Sequence, residues 1–249
     1  MHDDFCKKNK ASLPGRKIRR KRILVIKEHR LSIKINGRLW CSLVCTEDNL
    51  IELVAGHLLS SGLIQKKDDI SDIRFCESKN TAFVTLKDEI SLEEDVKKEE
   101  SCCPDNRHFS KSQDARPLEK LPDTNFRPEW IFNLAKAFSN DSLVHKHTSG
   151  THICILARSG EPVFTAEDIG RHTALDKALG YMLLNDIPSS EVQLFTSGRV
   201  PLDMVEKVIR ARAGVLISKS VPTEESLKLA GEYNLKLFFR AWPDSCDSL

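Results

Sequence analysis

The chain has 249 residues, of which 40% are hydrophobic and 30% charged, and its formal net charge is +2. This composition is ordinary for a soluble protein, and no apolar run approaches the roughly 18–20 residues that a membrane span needs. The opening residues are basic and polar without a hydrophobic stretch after the charges, so no secretory signal is visible and we expect a cytoplasmic protein that does not contact the membrane.

The eight cysteines are scattered through predicted strands and one polar loop. In a chain of this length without a secretory signal, reduced thiols are the expected state. No Cys-x-x-Cys sequence occurs, which argues against a zinc ribbon and a thioredoxin-type site. His145 and His147 could share a face, but no third ligand follows at metal-site spacing, so we expect no intrinsic metal.

The first 21 residues predict a disordered, basic tail. The basic run RKIRRKR covers residues 16–22. One short run without interleaved aromatic residues, on a chain of near-neutral net charge, does not predict nucleic-acid binding.

Residues 22–86 predict a small β-rich module. Alternating apolar residues indicate strands over 22–28, 30–36 and 38–45, and Asn36-Gly37 is a hairpin turn between the last two. One face of the third strand is expected to point into the core, and it carries Leu39, Cys41, Leu43 and Cys45.

A helix and two further strands complete this module. Thr46 has the chemistry of an N-cap, so we predict a helix over 47–61 that Gly62 ends. The two short strands are predicted over 72–78 and 81–86.

Residues 87–127 are charged, contain several prolines and show little periodicity, which predicts a mobile loop. Cys102 and Cys103 lie in this polar segment, where packing does not explain a cysteine. Either thiol could serve as a nucleophile or carry a sulfane sulfur, or the pair could be incidental.

The domain predicted over 128–249 alternates strands with helices. Pro128 begins a helix, and a hairpin over 152–168 turns at Ser159-Gly160. Three short apolar strands then follow, each separated from the next by a helix, which is typical of βαβ units around a buried parallel sheet. We therefore predict an α/β fold with a mostly parallel sheet flanked by helices.

Two turns between a strand and a helix are candidate ligand sites, because ligands of such sheets bind at the carboxyl ends of the strands. The first contains Ser197, Gly198 and Arg199; small residues admit a phosphate, and arginine offers it a planar fork. The second contains Ser218, Ser220 and Thr223. Each turn alone could simply be a capped helix start, whereas two on one sheet edge favour an anionic ligand such as a nucleotide.

A third polar segment, residues 167–172, opens another helix. Arg171 and His172 stand at its start, and Asp176 and Lys177 lie one turn further along, within reach of them. The segment is either a capping cluster with surface ion pairs or part of the ligand site. His152, before the preceding hairpin, is expected to be a structural histidine.

These motifs together resemble one known family, the formate dehydrogenase accessory proteins, which are sulfurtransferases of formate dehydrogenase maturation. SIKINGRLWCSLVCTEDNLIELVAGHLLSSGLI is similar to the family's N-terminal stretch. TSGTH, EDIGRHTALDKALGY, FTSGRV and SKSVPT are similar to its C-terminal signatures and stand in the same order. The resemblance covers residues 25–240.

The resemblance implies a function and a fold. Members accept sulfur from a cysteine desulfurase as a cysteine persulfide and pass it to the molybdenum of a bis(molybdopterin guanine dinucleotide) cofactor, which is then inserted into formate dehydrogenase. The large domain is similar to the cytidine deaminase fold without its zinc site, and members are homodimers.

The resemblance also implies site residues. Cys103, with Cys102 as its substitute, would carry the persulfide. The cofactor would be bound as a substrate by both turns, by Arg171, His172 and Lys177, and by a C-terminal stretch that comprises Phe238, Phe239, Arg240, Ala241, Trp242 and Pro243.

Two departures from the family pattern keep a second hypothesis open. Where relatives carry Cys-x-x-Cys, Asn106 stands three residues after Cys103, and the chain ends in AWPDSCDSL rather than the family's polar tail. A binding chaperone that holds the cofactor and docks formate dehydrogenase without moving sulfur is therefore the alternative. A deaminase is disfavoured because the His-x-Glu and Pro-Cys-x-x-Cys signature is absent.

Overall fold

The structure is a computed structural model, and it describes residues 25–88, 117–141 and 150–248. The predicted tail over 1–21 and most of the predicted loop over 87–127, including Cys102 and Cys103, lie outside the described residues, as do His145 and His147.

Residues 25–88 form a four-stranded sheet with one α-helix. The strands are β1 (His29–Ile35), β2 (Arg38–Cys45), β3 (Ile70–Phe75) and β4 (Thr81–Leu86), and helix α1 spans Leu50–Ser60. A short 3₁₀ turn, Lys67–Asp69, precedes β3. The strand order is β2-β1-β4-β3, with β1 and β4 parallel and the other neighbours antiparallel.

The Asn36-Gly37 hairpin is confirmed, since both residues take the positive φ angles, 47° and 85°, that a type I′ turn requires. The strand predicted over 22–28 is wrong for its described part, because residues 25–28 have no regular structure. The predicted core face of β2 is confirmed for Cys45, which is buried, and for Cys41 and Leu43, which pack against the same core, whereas Leu39 is not part of it. The pairing with β1 skips Trp40, which forms a bulge between Leu39 and Cys41, and this extra residue is buried in the core.

Thr46 is not the N-cap of α1. The helix begins at Leu50, after Asn49 in a left-handed conformation. The Thr46 hydroxyl instead donates to the backbone oxygen of Glu167, 3.2 Å away. The side chain thus makes a long-range contact, although local chemistry predicted that it would cap the helix.

The described residues of the C-terminal part form a six-stranded sheet with four helices. The helices are α2 (Glu129–Asp141), α3 (Arg171–Leu184), α4 (Leu202–Arg210) and α5 (Glu224–Glu232), and Ser189–Glu191 is a 3₁₀ turn. The strands are β5 (His152–Arg158), β6 (Glu161–Asp168), β7 (Val192–Thr196), β8 (Val215–Ser218), β9 (Lys236–Phe239) and β10 (Asp247–Ser248).

This sheet is mixed, which corrects the prediction of a mostly parallel one. The order is β10-β9-β8-β7-β5-β6, and only the β7–β8 and β8–β9 pairs are parallel. The hairpin at Ser159-Gly160 makes β6 antiparallel to β5, β5 runs antiparallel to β7, and a C-terminal turn brings β10 back along β9. Pro162 lies on the edge strand β6, close to a register shift opposite Leu156 and Ala157.

One buried hydrophobic cluster joins the two predicted modules. Leu31 and Ile33 of the first sheet belong to the same buried cluster as Leu194 and Leu216 of the second. The other face of the second sheet packs against α2 through a separate cluster around Phe195. The domain boundaries near residues 86 and 128 stay predictions, but the modules on either side of them do not have separate cores.

Helices α1 and α3 cross in direct backbone contact at two glycines. A Cβ atom on Gly56 would lie 1.8 Å from the carbonyl oxygen of Asp176, and a Cβ atom on Gly180 would lie 1.8 Å from that of Glu52. Neither oxygen can move without shifting its helix, so the crossing requires glycine on both sides.

We expect Gly180→Ala to destabilise the protein by about 3 kcal/mol or more, because the added methyl group must push two helix backbones apart. Gly231→Ala is the matched control: it also lies in a helix, and nothing lies within 4 Å of its added Cβ. The control should be neutral or gain up to about 1 kcal/mol from helix propensity. Urea unfolding measures both, and equal effects would contradict the tight crossing.

Candidate functional site

The two predicted turns meet at one edge of the second sheet. Strands β7 and β8 are parallel, so Thr196 and Ser218 end side by side. The Ser218 hydroxyl donates to the backbone oxygen of Gly198, 2.9 Å away, and accepts a hydrogen bond from the backbone N–H of Ser220 at 2.9 Å. The buried Ser218 side chain is thus hydrogen-bonded to the backbone of both turns.

The C-terminal stretch joins the same edge. The backbone N–H of Arg240 donates to the oxygen of Ser220, and that of Ala241 donates to the oxygen of Ser218, at 3.1 and 3.0 Å. Arg240 has a φ angle of 47° and forms an ion pair with Asp247. Phe238 and Phe239 are half-buried and Ala241 is buried, whereas Arg240, Trp242 and Pro243 are exposed.

The start of helix α3 is the third part of this edge. A Cβ atom on Gly198 would lie 2.9 Å from the Cβ of Arg171, so the first turn and the helix touch. The first N–H groups of a helix have no partner within it, and its N-terminus carries partial positive charge. The Nε atom of Arg171 is buried, and among the described residues it has no hydrogen-bond partner. This arrangement is suited to an anion.

Sequence reasoning missed one residue at this edge. His152 Nδ1 would lie 3.3 Å from a Cβ atom on Gly198, so the ring stands beside Arg171. The signal that could have found it is the pairing of β5 with β7, which brings the start of β5 next to the end of β7.

Several predicted hydroxyl ligands instead hold the edge together. Ser197 Oγ accepts a hydrogen bond from the backbone N–H of Ile153, and Thr223 Oγ1 caps α5 by accepting one from the N–H of Ser226. The capping interpretation is therefore correct for Thr223. The guanidinium of the exposed Arg199 and that of Arg171 supply positive charge at the edge.

Lys177 does not reach this edge, which corrects its assignment as a cofactor ligand. Its side chain is fully buried, and Nζ lies 2.7 Å from Asp168 Oδ2 and 2.7 Å from Thr46 Oγ1. Nζ also lies 3.2 Å from the backbone oxygen of Glu167, so all three hydrogens have acceptors inside the protein.

His172 contacts Asp203 rather than Asp176. Its Nε2 atom lies 2.8 Å from Asp203 Oδ2. Partial burial works against the charge of that carboxyl, but the hydrogen bond from His172 and its charge outweigh the burial, so the pKa of Asp203 is lowered. The contact joins the start of α3 to the first turn of α4.

Asp176 is the centre of a buried charge cluster between α1, α3 and α4. Lys207 Nζ lies 2.6 and 2.7 Å from its two oxygens, His57 Nδ1 lies 2.8 Å away, and Ser60 Oγ donates to it at 2.7 Å. Burial opposes the carboxylate charge, yet Lys207 and His57 overcome it and hold the pKa of Asp176 well below its usual range. Burial, followed by the nearby Lys207 charge, lowers the pKa of His57.

The described cysteines offer few nucleophiles. Burial raises the pKa of Cys45 to about 12 and that of Cys154 further still, so both are thiols at neutral pH. Cys76 differs because hydrogen bonds, first from Ser78, lower its pKa and its side chain is partly exposed. Cys76 is therefore the described cysteine whose reactivity must be compared with that of Cys102 and Cys103.

Neither a membrane-spanning helix nor a group of three or more potential metal ligands is found within residues 25–88, 117–141 and 150–248.

The fold matches that of a crystal structure from Desulfotalea psychrophila whose name describes a formate dehydrogenase accessory protein. The TM-score is 0.71 at 24% identity, and the match covers 90% of this chain and 86% of that one. The architecture is therefore that of an accessory-protein fold.

Sequence comparison identifies the family. The FdhD/NarQ family model matches residues 26–247. A sulfur carrier protein FdhD from Halalkalibacterium halodurans is 35% identical over 217 residues, which are 85% of this chain and 80% of that protein. Its namesake from Bacillus subtilis is 32% identical over 215 residues, 85% and 82% of the two chains. The chain belongs to the FdhD/NarQ family, as the resemblance predicted.

Lys207→Met should cost about 3–5 kcal/mol of stability, because it leaves the Asp176 carboxylate buried without its main partner. Lys228→Met is the control, since Lys228 forms only an exposed pair with Glu224, one turn away on α5. That variant should change stability by at most about 0.5 kcal/mol. Chemical denaturation compares the two, and a loss for Lys207→Met no larger than the control's would show that the cluster is not a stabilising unit.

His57 should make the protein less stable in mild acid. Its pKa is lower in the folded protein than the usual value of about 6.5, so the unfolded chain binds the proton first as the pH falls. The contribution is complete above about pH 6.5 and is lost as the pH falls towards the folded pKa. His57→Gln should therefore flatten the pH dependence of the urea midpoint between about pH 7 and 5. An unchanged profile would contradict this role.

Proposed function

We propose that this protein is a sulfur carrier that serves formate dehydrogenase. The observation that supports this most strongly is the family match over residues 26–247, together with the 35% identity to a protein named as a sulfur carrier. The positively charged sheet edge agrees with it, because a carrier of this kind must hold an anionic cofactor while sulfur is delivered.

The sulfur step is proposed at Cys103, with Cys102 as the neighbouring alternative. The Cys103 thiolate attacks the terminal sulfur of a persulfide on a cysteine desulfurase. The S–S bond of that persulfide breaks, the desulfurase cysteine leaves as a thiolate, and a new S–S bond forms on Cys103. The S–S bond on Cys103 would then break, its terminal sulfur would become a sulfido ligand as a reduced molybdenum(IV) of the bis(molybdopterin guanine dinucleotide) substrate gives up two electrons, and Cys103 would return to the thiolate.

The cofactor is proposed to bind at the sheet edge. Its pyrophosphate would lie against the start of α3, with Arg171 and Arg199 as the cationic contacts. The hydroxyls of Ser197 and Ser218 would hold the two turns in place through their hydrogen bonds to the backbone. His172, positioned by Asp203, and the stretch from Phe238 to Pro243 border the same place. The proposal also includes formate dehydrogenase as a partner, a cytoplasmic location, a homodimer and a cytidine deaminase-like large domain.

Mass spectrometry after incubation with a cysteine desulfurase and cysteine tests the sulfur step. We expect Cys103 to gain one sulfur atom, about 32 Da, because only an accessible thiolate accepts it. Cys76→Ser is the control, since Cys76 is the partly exposed described thiol with a lowered pKa. That variant should still be labelled, whereas Cys103→Ser should not.

Two other outcomes have definite meanings. Labelling lost in Cys102→Ser instead would move the role to Cys102. Equal labelling of a Cys102→Ser and Cys103→Ser double variant would contradict the sulfur carrier, and the cofactor-binding chaperone would then be the better description, because the altered loop lacks the second family cysteine.

Calorimetry with guanosine diphosphate tests the sheet edge. Arg199→Ala should weaken binding by about 1.5–3 kcal/mol, the range for a hydrogen bond to a charged group. Lys228→Ala removes one positive charge from the exposed surface of α5 and should change nothing measurable. Equal weakening by both substitutions would mean that the attraction is diffuse charge and that the edge is not a binding site.

A further inference from the structure

A cavity of about 560 Å³ lies where three helices end, away from the proposed ligand-binding edge of the second sheet. The last turns of α1, α3 and α4 line it, together with Lys67 of the first 3₁₀ turn and residues 117–119. Helix α3 begins at the sheet edge and ends at the cavity, so its length of roughly 20 Å separates the two places. A void of this size exceeds the packing defects of a protein interior and is within the range of small-molecule sites.

The inner wall of the cavity is aliphatic. Leu59, Met182 and Ile209 are buried members of the cluster that joins the two modules, and they also line the cavity. Leu183 and Ile187 are partly buried, pack against the same cluster and line the cavity as well. Among the described residues that line it, none is aromatic. The wall therefore suits a flexible alkyl chain better than a flat ring.

The carbonyl groups at the three helix ends are used within the chain. Each helix is followed by a residue with a positive φ angle: 77° at Gly62, 53° at Asp186 and 58° at Arg212. The next residue in each case donates its N–H to the carbonyl oxygen five positions earlier, at 3.1, 3.0 and 3.2 Å. The oxygen of Leu184 accepts a hydrogen bond from Lys67 Nζ at 2.8 Å. These bonds compensate the partial negative charge of the helix ends, which would otherwise attract a cation.

The rim of the cavity carries an excess of positive charge. Each of its two carboxylates lies in an ion pair with a cation of the same rim. Two positive charges remain beyond these pairs, so the rim favours a ligand with negative charge. The charged residues that line the cavity are the cations Lys66, Lys67, Arg210 and Arg212 and the carboxylates Glu119 and Asp186.

We propose that this cavity binds an aliphatic carboxylate, with the alkyl chain on the inner wall and the carboxylate at the cationic rim. A mostly apolar cleft in which a few polar groups fix the orientation is the general form of a small-molecule site. Lys66 is the expected contact, because it is exposed, whereas Lys67 and Arg212 already bind rim carboxylates. The site goes beyond the proposed function, whose cofactor carries phosphates and binds at the other end of α3.

Calorimetry on the full chain tests the charge preference with octanoate and octylammonium, two probes that share a chain length and differ in charge. Octanoate should bind about tenfold more tightly, because only its head group complements the rim. Each methylene removed from octanoate should weaken binding about fourfold, the factor for one buried CH₂ group. Equal binding of both probes, or no binding of octanoate at millimolar concentration, would overturn the proposal.

Two substitutions locate the probe. Leu183→Gln places an amide on the aliphatic wall and should weaken octanoate about tenfold. Lys66→Gln alters only an exposed side chain and should weaken octanoate about two- to fivefold, the effect of losing an exposed ion pair, without weakening octylammonium. Lys228→Gln is the matched control, since it removes one charge from the surface of α5, outside the cavity. If Lys228→Gln weakens octanoate as much as Lys66→Gln, or if a folded Leu183→Gln protein binds it normally, the proposal is wrong.

The sheet edge is a second place where an anion could bind, so a competition experiment separates the two sites. An excess of guanosine diphosphate should leave octanoate affinity unchanged, because the cavity lies at the opposite end of α3. Displacement of octanoate would place the probe at the sheet edge and overturn the cavity site. Persulfide formation on Cys103 is read by mass and does not depend on either result.

Discussion

The structure depends on how helix α3 is held. Two adjacent residues of opposite charge, Asp176 and Lys177, are both buried, and they pair in different directions: Asp176 with Lys207 of α4, and Lys177 with Asp168 of β6. A rotation of the helix would separate both pairs at once and leave charges in a site without water. The glycine crossing with α1 fixes its position along the same axis. The start of α3, at the proposed ligand-binding edge of the second sheet, is therefore set by contacts deep in the core.

This arrangement explains why many polar side chains near this edge of the second sheet make hydrogen bonds within the protein and are not available to a ligand. Ser197, Ser218 and Thr223 use their hydroxyls on neighbouring backbone groups, and Lys177 is enclosed. Buried polar groups must find partners, and the turns satisfy them internally. The turns that carry the remaining charges are held by these internal hydrogen bonds, which would lower the cost of ordering them if a ligand binds.

Local signals in the sequence predicted most elements well. Asn36-Gly37 identified a hairpin and the polar segment over 167–172 identified the start of α3, because turn and helix-start chemistry act within a few residues. What the sequence could not supply depends on residues far apart. Thr46 has the right chemistry for a cap, but its partner Glu167 lies more than a hundred positions away. The position of His152 likewise follows from the β5–β7 pairing, which no local pattern encodes.

The two edges of the larger sheet have a consequence for how copies of the chain can associate. On one side, β6 carries Pro162, which has no N–H to donate, next to an irregular register. On the other, the two-residue strand β10 covers part of β9 and is itself too short to template a partner. Strand-to-strand extension of this sheet into a second molecule is thus disfavoured at both ends. Among the described elements, a symmetric assembly would have to use helical surfaces or the smaller sheet.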